Sequence, residues 1–312
     1  THAVVLLGRL CGIPIPWPEP VPLEKARRIA QWISQTVRQH GKCHLNCHVS
    51  LALRVAISAR EGGIDLTGAT FSGGGEPPTP TKVHEITRTG ARYVPNYFIA
   101  ETGVVGFGCA CPSEIDDLHL FKGGIAIIPS PHAIPQTGLT VNLFHITTLL
   151  STTPKIMINV KIDDYGLTEE RSCGCLLEQY GFTNHIRQIR SINKLTGEGV
   201  TLVGSEMTRI LEEVLPARFG GSPLDYQLLE EEDAEGFTRL NLLIHPAVSI
   251  RDESEVIQVM LEALKEGSGA GDLARAIWSQ AGTLRIKRIA PIWTERGKMM
   301  PLHLGKLPEK ER

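Results

Sequence analysis

The apolar residues of this chain follow two periods. In Glu24–Gln39, Ala26, Ile29, Ile33 and Val37 fall at helical spacing, which predicts a helix. A second helix is expected over His48–Glu61, with a stop at Gly62-Gly63, and a shorter one over Pro80–Thr89. EMTRILEEVL, opened by Ser205-Glu206, predicts a helix that halts before Pro216. ESEVIQVMLEALKE predicts another, capped by Asp252 or Ser254 and ended by Gly267. Elsewhere the apolar runs are short and β-branched. ATF, ARYVPNYF, GIAIIP, LTVNLFHITTLL and KIMINVKI read as strands, each bounded by turn residues. Val200–Val203, DYQLLEEED, FTRLNLLIHP and TLRIKRIAPI follow in the last third, the middle two joined by a turn at Ala234-Glu235-Gly236.

The order of these elements implies an architecture. Strand, loop, helix and strand over residues 69–98 indicate an α/β fold, and Gly123–Val160 a β-rich subdomain. The last third reads β-α-β-β-α-β, a small split βαβ domain, so a boundary is expected near residues 190–200. IPIPWPEPVP near the start reads as an extended connector.

Composition narrows the classes. With 312 residues the chain is long enough for two domains. Its 32 basic and 34 acidic side chains nearly cancel, which gives no reason to expect nucleic acid or an anionic membrane as partner. Apolar runs such as Gly124–Pro129 are far too short to span a bilayer. The first residues lack a basic n-region and an initiating Met, so neither signal peptide nor anchor is expected, and the start reads as truncated. Seven cysteines, an odd number without a secretion signal, suit reduced thiols in a cytoplasm.

Four clusters carry candidate chemistry. GGGEPPTP (Gly73–Pro80) follows a strand, and its glycines would let a nucleotide approach the backbone, although such a cluster also serves as a plain turn. In NYFIAETG, Tyr97 could stack on a base and Glu101 could hold Mg²⁺. The same pair also fits a core tyrosine and a solvated glutamate. Cys109, Cys111, His119, Cys173 and Cys175 offer thiolate and imidazole donors for a structural ion, with buried inert thiols as the competing reading. A disulfide between Cys173 and Cys175 is disfavoured by the one-residue gap. Cys43-His44 and Cys47-His48 repeat at four residues; on a helix the two histidines would share a face and form a second metal site.

Taken together, these motifs resemble the adenylate-forming acid–CoA ligases, closest to the phenylacetate–CoA ligase and coenzyme F390 synthetase branch. SGGGEPPTP looks like its glycine-rich adenine-side loop, with Gly73, Gly74, Gly75, Glu76 and Pro77. NYFIAETG looks like its Tyr-Gly-x-Thr-Glu motif and VKIDDYG like its ribose-binding segment, which selects Asp164. HIRQIRSINKLTGEG looks like the hinge with Arg190, and PIWTERGKMMPL like the terminal signature whose lysine is Lys298. The resemblance implies the C-terminal portion of a large AMP-binding domain over residues 1–192, with α/β and β-rich parts, and a small βαββαβ lid over 193–312. It implies ATP/AMP, Mg²⁺ and coenzyme A as cofactor and substrates, a small carboxylic acid as second substrate, and room for a homodimer. Lys298 and Glu101 would be catalytic, the latter through Mg²⁺. Asn96, Tyr97, Phe98, Thr102, Asp164 and Arg190 would join the glycine loop around the nucleotide. Zinc would sit on Cys109 or Cys111 with His119, Cys173 and Cys175. Three departures stand out: Ala100 replaces the motif hydroxyl, Thr196-Gly197-Glu198-Gly199 replaces the acidic hinge pair, and no Ser/Thr/Gly-rich phosphate loop occurs in residues 1–72. They leave open a zinc-stabilised nucleotide-binding homologue without turnover.

Overall fold

The computed structural model describes residues 2–133, 140–192, 196–197, 200–201, 205–232, 238–265, 284–295 and 297–304. Helix α1 (His2–Leu10), for which periodicity offered no expectation, buries only Val5. Helix α2 (Ala26–His40) follows a 3-10 turn at Leu23–Lys25 and ends at Gly41, whose φ of +75° fits the left-handed cap that glycine adopts without strain. Strand β1 (Cys43–His48) removes the helical condition on which a second metal site there depended. It pairs in parallel with β2 (Ala69–Gly74), Cys43 opposite Ala69. On a strand, residues four apart stand about 13 Å apart, so His44 and His48 do not converge on one ion. Helices α3 (Val49–Glu61) and α4 (Pro80–Thr87) match their expected spans to within two residues.

β3 (Arg92–Ile99) pairs in parallel with β2, and the chain then turns antiparallel. β4 (Gly103–Gly108), β5 (Leu118–Leu120), β6 (Ile125–Ala133), β7 (Thr140–Thr148), β8 (Val160–Glu170) and β9 (Asn184–Ser191) complete a nine-stranded sheet in the order β1-β2-β3-β4-β5-β9-β8-β7-β6. Of KIMINVKI, only the part from Val160 onward is strand, because Asn159 turns with φ +49° and Met157 instead bonds Thr148. Helix α5 (Leu176–Gln179) is a single turn before β9.

The C-terminal part contains the hairpin β10 (Thr196–Gly197) and β11 (Val200–Thr201), with residues 202–204 outside the described set. Helix α6 (Ser205–Arg209) does not stop before Pro216. It passes through a π turn at Ile210–Val214 into α7 (Leu215–Phe219) and ends at Gly220. Pro216 occupies the first turn of α7, where its missing N–H costs little. β12 (Tyr226–Glu232), β13 (Thr238–Ile244), helix α8 (Glu253–Lys265), β14 (Leu284–Lys287) and β15 (Leu302–Leu304) follow. They give a four-stranded sheet ordered β14-β13-β12-β15. Asp252 caps α8, accepting from the Ser254 N–H at 2.9 Å. The expected turn at 234–236 and the stop at Gly267 lie outside the described residues.

The strand–helix order of the last third therefore stands, but the partner of β12 is a strand from the chain's end. The first expected strand pairs locally instead. One core lies around α2, α3 and β1–β3, with Ile33, Leu53, Phe71 and Ile86 fully buried. A second fills the antiparallel part and a third the C-terminal sheet. Leu224 and Met299 from the C-terminal part are buried in the first core and tie the two parts together. No helix among the described residues is long and apolar enough to cross a membrane.

Candidate active site and metal centre

β1, β2 and β3 run parallel, and the C-terminal ends of β2 and β3 open onto one cavity, the usual place for a ligand in such sheets. After β2 the chain turns through Gly74 and Gly75. A Cβ on Gly74 would stand 1.8 Å from Asn96 Oδ1, so only glycine fits there. Asn96 is itself held: its amide donates to Ser72 Oγ at 2.9 Å and Asn46 Oδ1 at 3.1 Å. Gly75 has φ +75°, and a Cβ on it would meet His48 Nδ1 at 2.6 Å and Lys298 Cε at 3.1 Å. Imidazole and lysine thus meet across the glycine. Glu76 is buried, its Oε2 accepting from the Ser50 N–H and hydroxyl at the start of α3, where a carboxylate complements the helix dipole. Burial raises its carboxyl, and the Lys82 ammonium opposes the shift.

The opposite wall comes from β3 and β8. A register shift between Tyr97 and Phe98 re-aims that strand. Tyr97 donates its hydroxyl to Asp164 Oδ2 at 2.7 Å. Burial and then the Asp164 charge push the phenol well above its ordinary range, so it stays a neutral donor. Asp164 pairs with Ser191 and Tyr165 with Arg190, and Asp164 and Arg190 both line the cavity. Arg190 donates to the Ile189 carbonyl at 2.8 Å and approaches the buried Asp116 at 3.4 Å.

Lys298 reaches the cavity from a pinned loop. The buried Gln227 on β12 donates to Ile292 O (3.0 Å) and Met300 O (2.8 Å) and accepts from Ile292 N (2.6 Å). Within the loop, the Lys298 N–H bonds Thr294 Oγ1 at 2.9 Å, and Gly297 turns with φ +75°. A second tie lies nearby. Lys82 on α4 and Glu212 in the π turn form an ion pair at 2.6 Å, each 3% exposed, and Thr79 donates to the same carboxylate at 2.5 Å. Burial works to lower the Lys82 ammonium, but the Glu212 and Glu76 charges with the Glu212 hydrogen bond together outweigh it, and its pKa is raised.

A separate cluster gathers on β5, β9 and the two flanking loops. Cys109 Sγ, Cys173 Sγ and one ring nitrogen each of His119 and His185 lie within 4.8 Å of one another. Cys175 Sγ stands 3.1 Å and Cys173 Sγ 3.8 Å from His119 Nε2. Burial pushes the Cys109 thiol up to about 12 and raises Cys173. For Cys175 burial is outweighed by the nearby Glu178 N–H and the Cys173 thiol, and it falls to about 6. Asp117, fully buried, accepts from the Ser113 N–H, from His185 Nδ1 and from Arg171. Burial works to raise its pKa, but these partners outweigh it and hold the carboxyl below its ordinary range. Buried thiols and imidazoles, with one unpartnered ring nitrogen at His185, fit a divalent ion of tetrahedral, sulfur–nitrogen preference.

No family model and no curated protein matches the chain. Solved structures do. A 2-hydroxyisobutyryl-CoA ligase in the postadenylation state, in complex with R3-HIB-AMP, is 18% identical with a TM-score of 0.57; 98% of this chain and 62% of that one are covered. The anthranilate CoA ligase AuaEII, in complex with anthranoyl-AMP, is 9% identical with a TM-score of 0.52, covering 92% of this chain and 53% of that one. A four-domain nonribosomal peptide synthetase bound to AMP and glycine is 10% identical with a TM-score of 0.52, covering 86% of this chain and 20% of that one. The chain has the fold of the adenylate-forming enzymes. It spans about three fifths of the first structure's length and half of the second's.

Within this adenylate-forming fold, many of the residues singled out from sequence line one cavity: Gly75, Glu76, Pro77, Asn96, Tyr97, Phe98, Asp164, Arg190 and Lys298. Gly73 and Gly74 end β2 at its edge. Glu101 is exposed on the β3–β4 turn with Thr102 buried beside it, and neither lines the cavity. Cys109, His119 and Cys173 cluster as expected, with Cys175 adjacent. Cys111 is exposed and only its N–H touches Cys109 Sγ. Sequence reasoning missed Asp116, Lys82, Glu212 and His185, and it read His48 as part of a second metal site rather than as a neighbour of the glycine loop. The paired acids at 116 and 117, placed just before His119, were the available signal for one of them. Nothing local marks Lys82 or Glu212, whose pairing spans 130 positions.

Proposed function

We propose that the chain is the nucleotide-handling part of an acid–thiol ligase, which activates a carboxylic acid as acyl-AMP and passes the acyl group to a thiol, coenzyme A in the phenylacetate–CoA ligase manner. The observation that carries this reading is the meeting of Lys298, from the far end of the chain, with the Gly75 loop and the Tyr97–Asp164 pair at one cavity. In the reading, residues 1–192 are the body and 193–312 the lid.

Both reactants of the first step are anions, so the site must offset their repulsion and hold them in line. The Lys298 ammonium supplies that charge at the α-phosphate. Asp164 accepts from the ribose hydroxyls, with Tyr97 fixing its orientation, and the Gly75–Pro77 loop flanks the adenine. Glu101 is the proposed Mg²⁺ residue, but its exposure on the β3–β4 turn does not fit a role at this cavity, and no step is assigned to the ion. Zinc is the proposed occupant of the cysteine–histidine cluster, where it would brace the loop carrying Asp116.

Titration of AMP into the chain tests the reading: saturable binding that Asp164→Ala weakens at least tenfold is expected, and wild-type-like affinity in that variant would overturn it. Gly75→Ala should lower AMP affinity about tenfold, since the left-handed conformation costs a side chain roughly 1–2 kcal/mol and the new methyl displaces His48 or Lys298. The same titration reads it. Ala100 and the exposed Glu101 favour a second reading, a binding homologue without turnover. AMP binding with no ATP–pyrophosphate exchange on any of a panel of acids would select it.

A further inference from the structure

We propose that His185 is a ligand of the metal centre, so that the ion is held by Cys109, His119, Cys173 and His185 while Cys175 stays outside the coordination shell. This rests on the reading that the cluster binds a metal. Its first support is the state of the His185 ring. The residue is fully buried, and its Nδ1 lies 2.7 Å from Asp117 Oδ1. Asp117 accepts from the Ser113 N–H and Arg171 as well, and its 2.7 Å contact with His185 Nδ1 is shorter than the 3.2 Å approach of Arg171 Nη2 to that nitrogen, which assigns the proton to Nδ1. The lone pair is then on Nε2, a buried atom with no hydrogen-bond partner. Leaving such an atom unpaired costs about 1–3 kcal/mol. A histidine whose second nitrogen is held by a carboxylate is also the arrangement that orients metal ligands.

The second support is placement. His119 and His185 are register partners on β5 and β9, so they project from the same face, and their ring centroids are 4.2 Å apart. His119 Nδ1 is likewise engaged, with the Phe182 carbonyl at 2.7 Å, which leaves Nε2 as its donor to a metal. The set that closes to within 4.8 Å contains both histidines with Cys109 and Cys173, and it does not contain Cys175. Donors about 2.0–2.3 Å from a tetrahedral ion are about 3.3–3.8 Å apart, so a small contraction completes the shell. The assignment also gives the adjacent acids distinct tasks. Asp117 orients His185, and Asp116 faces Arg190 at the nucleotide cavity.

X-ray absorption of the zinc-loaded chain, with thiolate-to-metal charge-transfer intensity of the Co²⁺-loaded chain, tests the proposal on the wild type. Two sulfurs and two nitrogens are expected. Cys175→Ser should leave the charge-transfer intensity and the one-to-one stoichiometry unchanged. Asp117→Asn should weaken metal binding about 10–100-fold in chelator competition. Three sulfurs and one nitrogen, with intensity lost in Cys175→Ser, would overturn the His185 assignment and leave the metal reading standing. A chain that retains neither metal at stoichiometric loading would overturn both.

Discussion

Lys298→Ala is expected to slow acyl-adenylate formation by about 10²–10³-fold, the usual loss when one preorganised charge-stabilising group is removed. Two anions must approach within bonding distance in that step, and the side chain is the only lysine lining the cavity among the described residues. Its delivery is prepaid in structure. Gln227 clamps both ends of the loop, Met299 is buried in the first core, and Gly297 turns the chain so that Lys298 faces Gly75. Because the group acts on the forming phosphate bond, its loss should fall on kcat of ATP–pyrophosphate exchange rather than on AMP affinity. Transfer from preformed acyl-AMP to a thiol should continue near the wild-type rate, since in the proposed reading the lid has swung and withdrawn Lys298 before the thiol attacks and displaces AMP. Measuring both half-reactions decides it: equal loss in the two would show that Lys298 supports the fold and not the chemistry.

The sequence carried these features unevenly. Helices α2 and α8 were legible because their burial is one-sided, and α3 because Gly62 marks its end. The glycine loop, Tyr97, Asp164 and Lys298 were legible through motifs whose order along the chain survives. What failed was set by partners distant in sequence. Cys43–His48 is a strand because β2 pairs with it, a fact its own composition does not hold. The helix past Pro216 continues because a π turn precedes it. His185 reads as one more polar residue on a strand until β5 brings His119 opposite. Glu101 matches the motif by position and lies exposed on the β3–β4 turn, outside the cavity lining.

Replacing Lys82 by methionine is expected to destabilise the chain by about 3–5 kcal/mol, the usual result of stranding one member of a buried ion pair. Glu212 would be left as a carboxylate only 3% exposed, with Thr79 its one remaining neighbour within hydrogen-bond reach among the described contacts. It must then stay charged without a counterion or take up a proton, and either state is costly. The pair as a whole is a different matter. Bringing both charges out of water costs about as much as their attraction returns, so Lys82→Met combined with Glu212→Leu should recover much of the loss. The position of the pair adds a functional consequence. Lys82 belongs to α4 beside the glycine loop and Glu212 to the π turn of the C-terminal part, and Thr81 with Glu213 repeats the link at 3.3 Å on the surface. The single variant should therefore also loosen the contact that holds the Lys298 loop at the cavity, lowering adenylate formation more than AMP binding. Urea denaturation of the two single variants and the double variant gives the coupling energy directly. A single variant within 0.5 kcal/mol of the wild type, an error-sized change by the order of magnitude of surface substitutions, would mean that the two parts are not joined through this pair.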